Sequence, residues 1–308
     1  MRVIFCDSIV DNKMVEPDYE GEFQAAKSAG FSTSVFSFEE LLDNNISKAL
    51  RYIRDSESEE FAVYRGWMLP PSKYEPLYSE LLKRNIKLIN DPTEYSHCHY
   101  LPESYEIIKD KTPQSNWTKN SEHRNFEIIS SLTDEFGSSP IIVKDYVKSE
   151  KHNWEDACYI PNASDKQTVK LVTDKFLALR GASLNEGLVF RKFEEVEPLT
   201  VHSKSGMPLT KEFRLFFAHH KLLKVFNYWD EGDYGDTTPE LEPFVEIAKK
   251  IKSNFFTMDI AKKKDGEWII MELGDGQTAG LPDNADIGSF YNELKKNALQ
   301  YKASSMAG

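Results

Sequence analysis

The first hundred residues alternate two hydrophobic periods. Apolar residues run almost continuously through MRVIFCD, FSTSVFSF, EEFAVYRGWML and IKLIND, whereas EFQAAKSAG and YEPLYSELLKRN space them by three and four. Short runs rich in Val, Ile, Phe and Tyr read as strands and the wider spacing as helices, so residues 1–100 predict a small parallel α/β domain. The polar, Pro-bearing stretch DPTEYSHCHYLPESY reads as a connector. Beyond it come a helix (SEHRNFEIISSLTDEFG), a strand (PIIVKDYVKS), and a helix (SDKQTVKLVTDKFLALRG) capped by Ser164 or Asp165 and stopped by Gly181. A strand (EGLVFRKFEEVEPL) follows, then a hairpin (KEFRLFFAHHKLLKVFNYW) turning near His219 and His220. A helix (PELEPFVEIAKKIKSNF), a second hairpin and a final helix (IGSFYNELKKNAL) complete the pattern. The fold class is therefore α/β with α+β character in the C-terminal part, where residues 101–300 predict a mostly antiparallel sheet with helices on it. No internal repeat or low-complexity segment interrupts either part. Residues 301–308, ending KASSMAG, are small and polar and predict a disordered tail.

Composition narrows the classes. The chain has 308 residues, enough for two domains with their own cores. A net charge of −12 argues against a general nucleic-acid or anionic-membrane binder, without excluding a local basic groove. No run of about 20 apolar residues exists to span a bilayer. MRVIFCDSIV meets Asp7 after a short apolar run and reads as a first strand rather than a signal peptide. Three widely spaced cysteines, Cys6, Cys98 and Cys158, suit a reducing cytoplasm, with neither a disulfide framework nor a zinc site.

The second hairpin, FFTMDIAKKKDGEWIIMELGDGQTAGLP, sets Asp259 and Glu272 into apolar runs. With Asp265-Gly266 as a two-residue turn, Lys264 faces Glu267 and, counting outward, Asp259 faces Glu272. Directly opposed carboxylates repel at about 5 Å, and a bound divalent cation would offset that. In this register Met258, Ile260, Ile269, Met271 and Leu273 form a core face, and Thr257 and Ala261 share the other face with the carboxylates. Paired hard oxygen donors suit Mg²⁺ completed by substrate phosphates. Two solvated carboxylates on an open sheet face are the plain alternative, although the Gly-rich GDGQTAG is unusual for a simple hairpin end. Cations also interrupt apolar strands: Lys144 in PIIVKDY, Arg191 in GLVFRKF and Arg214 in KEFRLFF. Each alone could snorkel or pair with a carboxylate. Three in a domain that also carries a carboxylate pair look like a cradle for a polyphosphate. Arg180, at a helix end, could simply complement the helix dipole.

The order of these elements resembles the ATP-grasp superfamily, on Lys144 in IIVKDY, the segment VFRKFEEVEP, Arg214 in EFRLFF, Asp259 in MDIA and Glu272 in IMELGDGQTAGL. It is most similar to a clade of small bacterial and phage proteins marked by extra arginines and a lysine. The resemblance covers residues 101–300, with residues 1–100 similar to the α/β domain that precedes such modules. It implies ATP and Mg²⁺ as cofactors. Lys144, helped by Lys148, would contact phosphates; the backbone at Lys192 and Phe193 would meet adenine, and Glu194 or Glu197 the ribose. Arg214 and Arg191 would bind nucleotide and act catalytically, Arg214 on the transferring phosphoryl group. Asp259 and Glu272 would hold the metal. The family often has Asn two residues after the Glu as a third ligand. Gly274 stands there in this chain, so Asp275 or water would substitute. Where relatives carry a glycine-rich flap, this chain has KSEKHNWED, with Lys148, Lys151 and His152 available to cover phosphates.

The implied reaction is ATP-dependent joining of a carboxylate to an amine through an acyl-phosphate. Its partners would be small-molecule or peptide carboxylates and amines, with no membrane and with nucleic acid disfavoured. An ATP-grasp phosphotransferase and a non-catalytic nucleotide-binding module are alternatives. A more remote one is a covalent nucleotidyl-transferring nucleic-acid ligase, suggested by K-x-D-G over Lys263, Lys264, Asp265 and Gly266. In YRGWML, Arg65 or Trp67 could serve an acceptor pocket, against the plainer reading of a buried Trp beside a paired Arg.

Overall fold

The computed structural model describes residues 1–204 and 206–306. Strands β1 (Arg2–Cys6), β2 (Ser32–Phe36), β3 (Glu60–Arg65) and β4 (Ile86–Leu88) form a parallel sheet in the order β2-β1-β3-β4. Their near-continuous apolar runs fit a sheet buried on both faces. Helices Glu20–Ser28 and Pro71–Lys83 make its longer crossovers.

The stretch expected to be a connector is two helices, Pro92–His99 and Leu101–Ile108. Asp91 accepts the Glu94 N–H and Glu94 accepts the Asp91 N–H, both at 2.8 Å. This capping box, with a proline in each first turn, starts helices that the polar composition conceals.

A second sheet is antiparallel, in the order β5-β8-β6-β7, from β5 (Ser115–Trp117), β6 (Ile141–Asp145), β7 (Tyr159–Ile160) and β8 (Leu188–Lys192). Helices Phe126–Asp134 and Lys166–Arg180 bury its apolar face around Val143, Phe176 and Phe190. Asp165 caps the longer helix, accepting the N–H groups of Gln167 and Thr168 at 3.1 and 3.2 Å, and Gly181 ends it at φ 47°. The strand expected to continue to Leu199 stops at Lys192. A linker separates it from a small hairpin, β9 (Pro198–Val201) with β10 (Pro208–Thr210).

The third sheet, order β12-β11-β13-β14, comprises β11 (Glu212–Ala218), β12 (Lys221–Asn227), β13 (Phe255–Lys262) and β14 (Trp268–Asp275), all antiparallel. His219 and His220 form the β11–β12 turn at φ 46° and 61°, where the sequence places it. Helices Leu101–Ile108 and Glu242–Ala248 pack on the sheet's apolar face; the latter is much shorter than its apolar pattern suggests. The last helix, Ile287–Met306, runs through the first part of the expected tail, and residues 307 and 308 lie outside the described residues.

The core of the parallel sheet is not closed at residue 100. Phe216, Ala218, Phe255, Phe290, Tyr291 and Leu294 belong to it. Arg65, fully buried, grips Glu22 through two 2.8 Å bonds and donates to the carbonyls of Gly276 at 2.6 Å and Ala279 at 2.8 Å. It ties the segment after β14 to the parallel sheet rather than lining an open pocket. Trp67 is not buried beside it: the indole is 41% exposed, edge-on to Tyr19. No described helix is long and apolar enough to cross a membrane.

Candidate active site

Asp259 and Glu272 are direct cross-strand partners, as the sequence predicts, but by a different route. The turn is three residues long: Lys263 N–H donates to Glu267 O at 2.8 Å, with Gly266 at φ 95°. That shifts the register near the turn, where Ile260 pairs with Ile270 and Ala261 with Ile269. A β-bulge at Met271 then absorbs one residue and brings Glu272 opposite Asp259. The core face consequently carries Trp268 and Ile270 in place of the expected Ile269 and Met271. Met271 lines a cavity instead.

That cavity, about 480 Å³, lies where the second and third sheets face each other. Ile142, Lys144 and Arg191 line it from one sheet; Arg214, Thr257, Asp259 and Glu272 line it from the other. Alternation along each strand puts these side chains on the inward face, opposite the apolar cores. The cations meet the carboxylates in defined pairs. Arg214, the partner of Asp259 across β11–β13, holds it in a two-pronged bond, Nε–Oδ1 2.8 Å and Nη2–Oδ2 2.7 Å. Its remaining Nη1 donates to Gly280 O at 2.9 Å, and the guanidinium lies 4.6 Å above the Tyr228 ring. Lys144 Nζ reaches Glu272 Oε1 at 3.3 Å. Burial pushes the Asp259 carboxyl up and Arg214 opposes that. Burial also works against ionisation of Glu272, yet Lys144, Lys151 and Lys148 outweigh it and hold the group at about 2. Glu272 is therefore an anion at any physiological pH.

Arg191 does something the sequence does not disclose. Its Nη1 donates to Met271 O at 2.6 Å, and its Nη2 to Ile270 O at 3.1 Å and Thr112 Oγ1 at 2.8 Å. Thr112 in turn donates to Ile270 O at 2.7 Å. A side chain of the second sheet thus grips the bulge of the third, the irregularity that sets the carboxylate pair. Burial lowers its pKa to about 10.

The other expected residues are placed by their own contacts. Asp275 is among the residues lining the cavity, but it lies on the opposite face of β14 from Glu272 by alternation. Its carboxylate accepts from Asn90 Nδ2 at 2.6 Å and from Gln277 N at 2.9 Å and Nε2 at 3.2 Å. Burial raises it to about 7. Lys192 ends β8, Phe193, Glu194 and Glu197 lie in the linker after it, and none of the four is among the cavity's lining residues. Lys192 N–H donates to Gln114 O at 2.8 Å and Phe193 N–H to Pro140 O at 2.9 Å. Glu194 pairs with Lys192 at 3.2 Å, and Glu197 with Lys211 and Lys262 at 2.8 and 3.3 Å.

The segment KSEKHNWED covers one side of the cavity, with Lys148, Ser149, Lys151 and His152 in its lining. Asp145 turns the chain after β6 by accepting the N–H groups of Val147 and Lys148. Arg180 fixes that root, bonding Asp145 Oδ2 at 3.1 Å and Glu150 Oε1 at 3.4 Å, so it does more than offset a helix dipole. At the far end Trp154 stacks on Tyr159 with ring centroids 5.3 Å apart. His99 and Tyr228 also line the cavity, which sequence periodicity gives no reason to expect, because each comes from an element outside the motif strands.

Against known families, residues 135–294 match the family described as ATP-grasp domain, R2K clade family 3. This chain belongs to the ATP-grasp superfamily. Solved structures of similar fold extend the likeness to nearly the whole chain. A RimK-domain ATP-grasp protein from Sphaerobacter thermophilus superposes with a TM-score of 0.59 at 10% identity, over 97% of this chain and all (100%) of that one. The ATP-grasp ligase PsnB, solved with precursor peptide PsnA2 and AMPPNP, gives 0.57 at 12% identity over 96% of each chain. D-alanine–D-alanine ligase from Bacillus anthracis, complexed with ATP, gives 0.57 at 14% identity over 98% of each. At these identities the likeness is one of fold. A search of curated protein sequences finds no match.

The ATP-grasp fold implies a divalent cation, and the donor set fits one. Two hard carboxylates stand opposed on the cavity wall, and the more open of them is held ionised. Among the described residues no third His, Cys, Asp or Glu completes the group.

Proposed function

We propose that this protein is an ATP-dependent carboxylate–amine ligase that works through an acyl-phosphate and releases ADP and phosphate. The observation that carries this reading is the position of Arg214. It lines the cavity of the carboxylate pair and also a second cavity of about 380 Å³, and Tyr228 and Gly280 are shared in the same way. A ligase needs such an arrangement: a polyphosphate site and a substrate site meeting at one cation.

In this reading Lys144 and Lys148 bind ATP phosphates, with Lys151 and His152 closing over them. Asp259 and Glu272 would hold Mg²⁺, which screens phosphate charge when bound. Nucleotide and metal would draw Lys144 and Arg214 from the carboxylates they pair with. The substrate carboxylate, oriented by Arg214, attacks the γ-phosphorus; the bond from that phosphorus to the bridging oxygen breaks, and its electron pair leaves with ADP. An amine nitrogen then attacks the acyl carbon, the carbon–oxygen bond to phosphate breaks, and the nitrogen loses a proton. The protein's contribution is positioning and charge neutralisation in a site closed to water. The adenine and ribose roles of Lys192, Phe193, Glu194 and Glu197 require the linker to approach the cavity with nucleotide present. Asp275 we assign to holding the segment after β14, not to the metal.

The nucleotidyl-transferase alternative finds no support at Lys263. That ammonium pairs with Asp265 at 3.0 Å and Glu267 at 3.1 Å on the turn, and these bonds raise its pKa where a nucleophile needs it lowered. Hydroxylamine trapping tests the ligase reading. With ATP, Mg²⁺ and a panel of amino acids and short peptides, we expect hydroxamate and ADP in equal amounts from at least one carboxylate. ATP bound without any carboxylate-dependent ADP would leave a nucleotide-binding module.

A further inference from the structure

Two carboxylates, with substrate phosphates and water, make an ordinary shell for a six-coordinate cation, so a further protein oxygen has to be argued from the face they occupy. The face they occupy offers one more oxygen. Thr257 lies two residues from Asp259 on β13, about 7 Å along the strand, and alternation puts both side chains on the cavity face. Its cross-strand partner is Gly274, two residues from Glu272. The two opposed pairs, Asp259 with Glu272 and Thr257 with Gly274, are therefore successive rungs on one face of the hairpin, and all four residues line the cavity.

Thr257 is 1% exposed, yet its hydroxyl makes only a long bond, 3.5 Å, to the Gly274 carbonyl. Its lone pairs remain available to a ligand. Gly274 is the complement of that hydroxyl. A Cβ built there would lie 2.8 Å from Thr257 Oγ1, closer than side-chain carbons approach, while the Gly274 backbone lies outside the left-handed region that would itself demand glycine. Glycine at 274 thus leaves room for the threonine hydroxyl, and a side chain at either position fills the same space.

We propose that Thr257 Oγ1 is the third protein oxygen of the cation site formed by Asp259 and Glu272. The inference rests on reading that pair as a metal site. A threonine hydroxyl is a neutral hard donor of the kind that phosphate-binding loops place on Mg²⁺. Because it is neutral, it adds a ligand without adding to the repulsion between the carboxylates.

Mn²⁺, read by the loss of its free electron-paramagnetic signal beyond that lost to AMPPNP alone, serves as the probe, titrated into an excess of the full chain with AMPPNP present. Thr257→Val keeps the shape and removes the oxygen; it should weaken Mn²⁺ binding about tenfold, while Thr257→Ser stays near the wild type. Thr257→Ala should weaken it similarly. Adding Gly274→Asn to Thr257→Ala should restore most of the affinity, because an amide oxygen from 274 then enters the vacated space. Gly274→Asn alone should lower thermal stability through the 2.8 Å clash. Wild-type affinity in Thr257→Val would overturn the assignment. Should that variant not fold, failure of the paired exchange to improve on Thr257→Ala would overturn it equally. Glu272→Gln separates the two levels. Unchanged binding there would overturn the metal pair itself; lost binding there with unchanged binding in Thr257→Val would overturn only the threonine.

Discussion

Arg191 lends itself to a quantitative test. It makes three hydrogen bonds from a charged donor to Met271 O, Ile270 O and Thr112 Oγ1. Such bonds contribute roughly 2 kcal/mol each, so about 6 kcal/mol together. Against that stands the burial of the guanidinium, 4% exposed, whose pKa falls to about 10. That drop from 12.5 is burial partly offset by the nearby Glu272, Tyr105 and Glu194, and corresponds to a net cost of about 3 kcal/mol to the charged form. Arg191→Met removes both contributions and should destabilise the protein by about 3 kcal/mol in urea unfolding. It should also loosen the bulge that faces Glu272 to Asp259, and so weaken Mn²⁺ binding with AMPPNP present. Thr112→Val, losing a smaller part of the same clamp, should follow in the same direction with a smaller effect. The reasoning fails if Arg191→Met unfolds like the wild type and binds Mn²⁺ normally while turnover collapses. Arg191 would then act on the nucleotide and not on the hairpin.

Arg214→Ala leaves Asp259 buried without its two-pronged partner, which should cost about 3–5 kcal/mol; saturating Mg²⁺ should recover part of it, and thermal melts with and without the cation would tell. Lys144→Ala should chiefly raise the KM for ATP and Arg214→Ala chiefly lower kcat, because the first acts on ground-state phosphates and the second on charge that moves; steady-state kinetics showing the reverse would misplace both. His99 is held at about 4 by burial, with Lys148 adding to the effect, so the folded protein binds fewer protons than the unfolded chain between pH 4 and 6.5. Stability therefore rises with pH across that window, and acidification from pH 7 to 4 should cost the wild type about 3 kcal/mol more than His99→Gln, measured by urea unfolding at each pH. Residues 148–153 should gain hydrogen-exchange protection with AMPPNP, whereas Trp154, fixed on Tyr159, should change little; equal strong protection in both states would make the segment a rigid wall.

What the sequence conveys follows physical reach. Alternation and turn chemistry are local, so the parallel strands and the His219–His220 turn are legible from residue order, whereas the facing of Asp259 with Glu272 is anticipated only because a missed third turn residue and a missed bulge cancel. The route to that facing is not legible, because the three-residue turn and the bulge at Met271 are held by Arg191 and Thr112, distant in sequence. Asp275 shows the same limit of reach. Its neighbours along the chain suggest a ligand, but one-residue alternation sends its side chain to Asn90, 185 positions away. The helices at Pro92–His99 and Leu101–Ile108 escape a reading based on composition, since their start depends on the Asp91–Glu94 capping box. Arg65 looks like a binding residue in YRGWML and is in fact the tie between Glu22 and the Gly276–Ala279 backbone.

The central claim, that a carboxylate is activated by the γ-phosphoryl group of ATP, is tested most directly by oxygen transfer. A substrate found by hydroxamate trapping is labelled with ¹⁸O in both carboxylate oxygens and turned over with ATP, Mg²⁺ and its amine. Mass spectrometry of the released phosphate should find one ¹⁸O per molecule, because the oxygen that attacked phosphorus leaves with it when the amide forms. Phosphate with no label, or label retained in a stable phosphorylated product, would contradict the acyl-phosphate route.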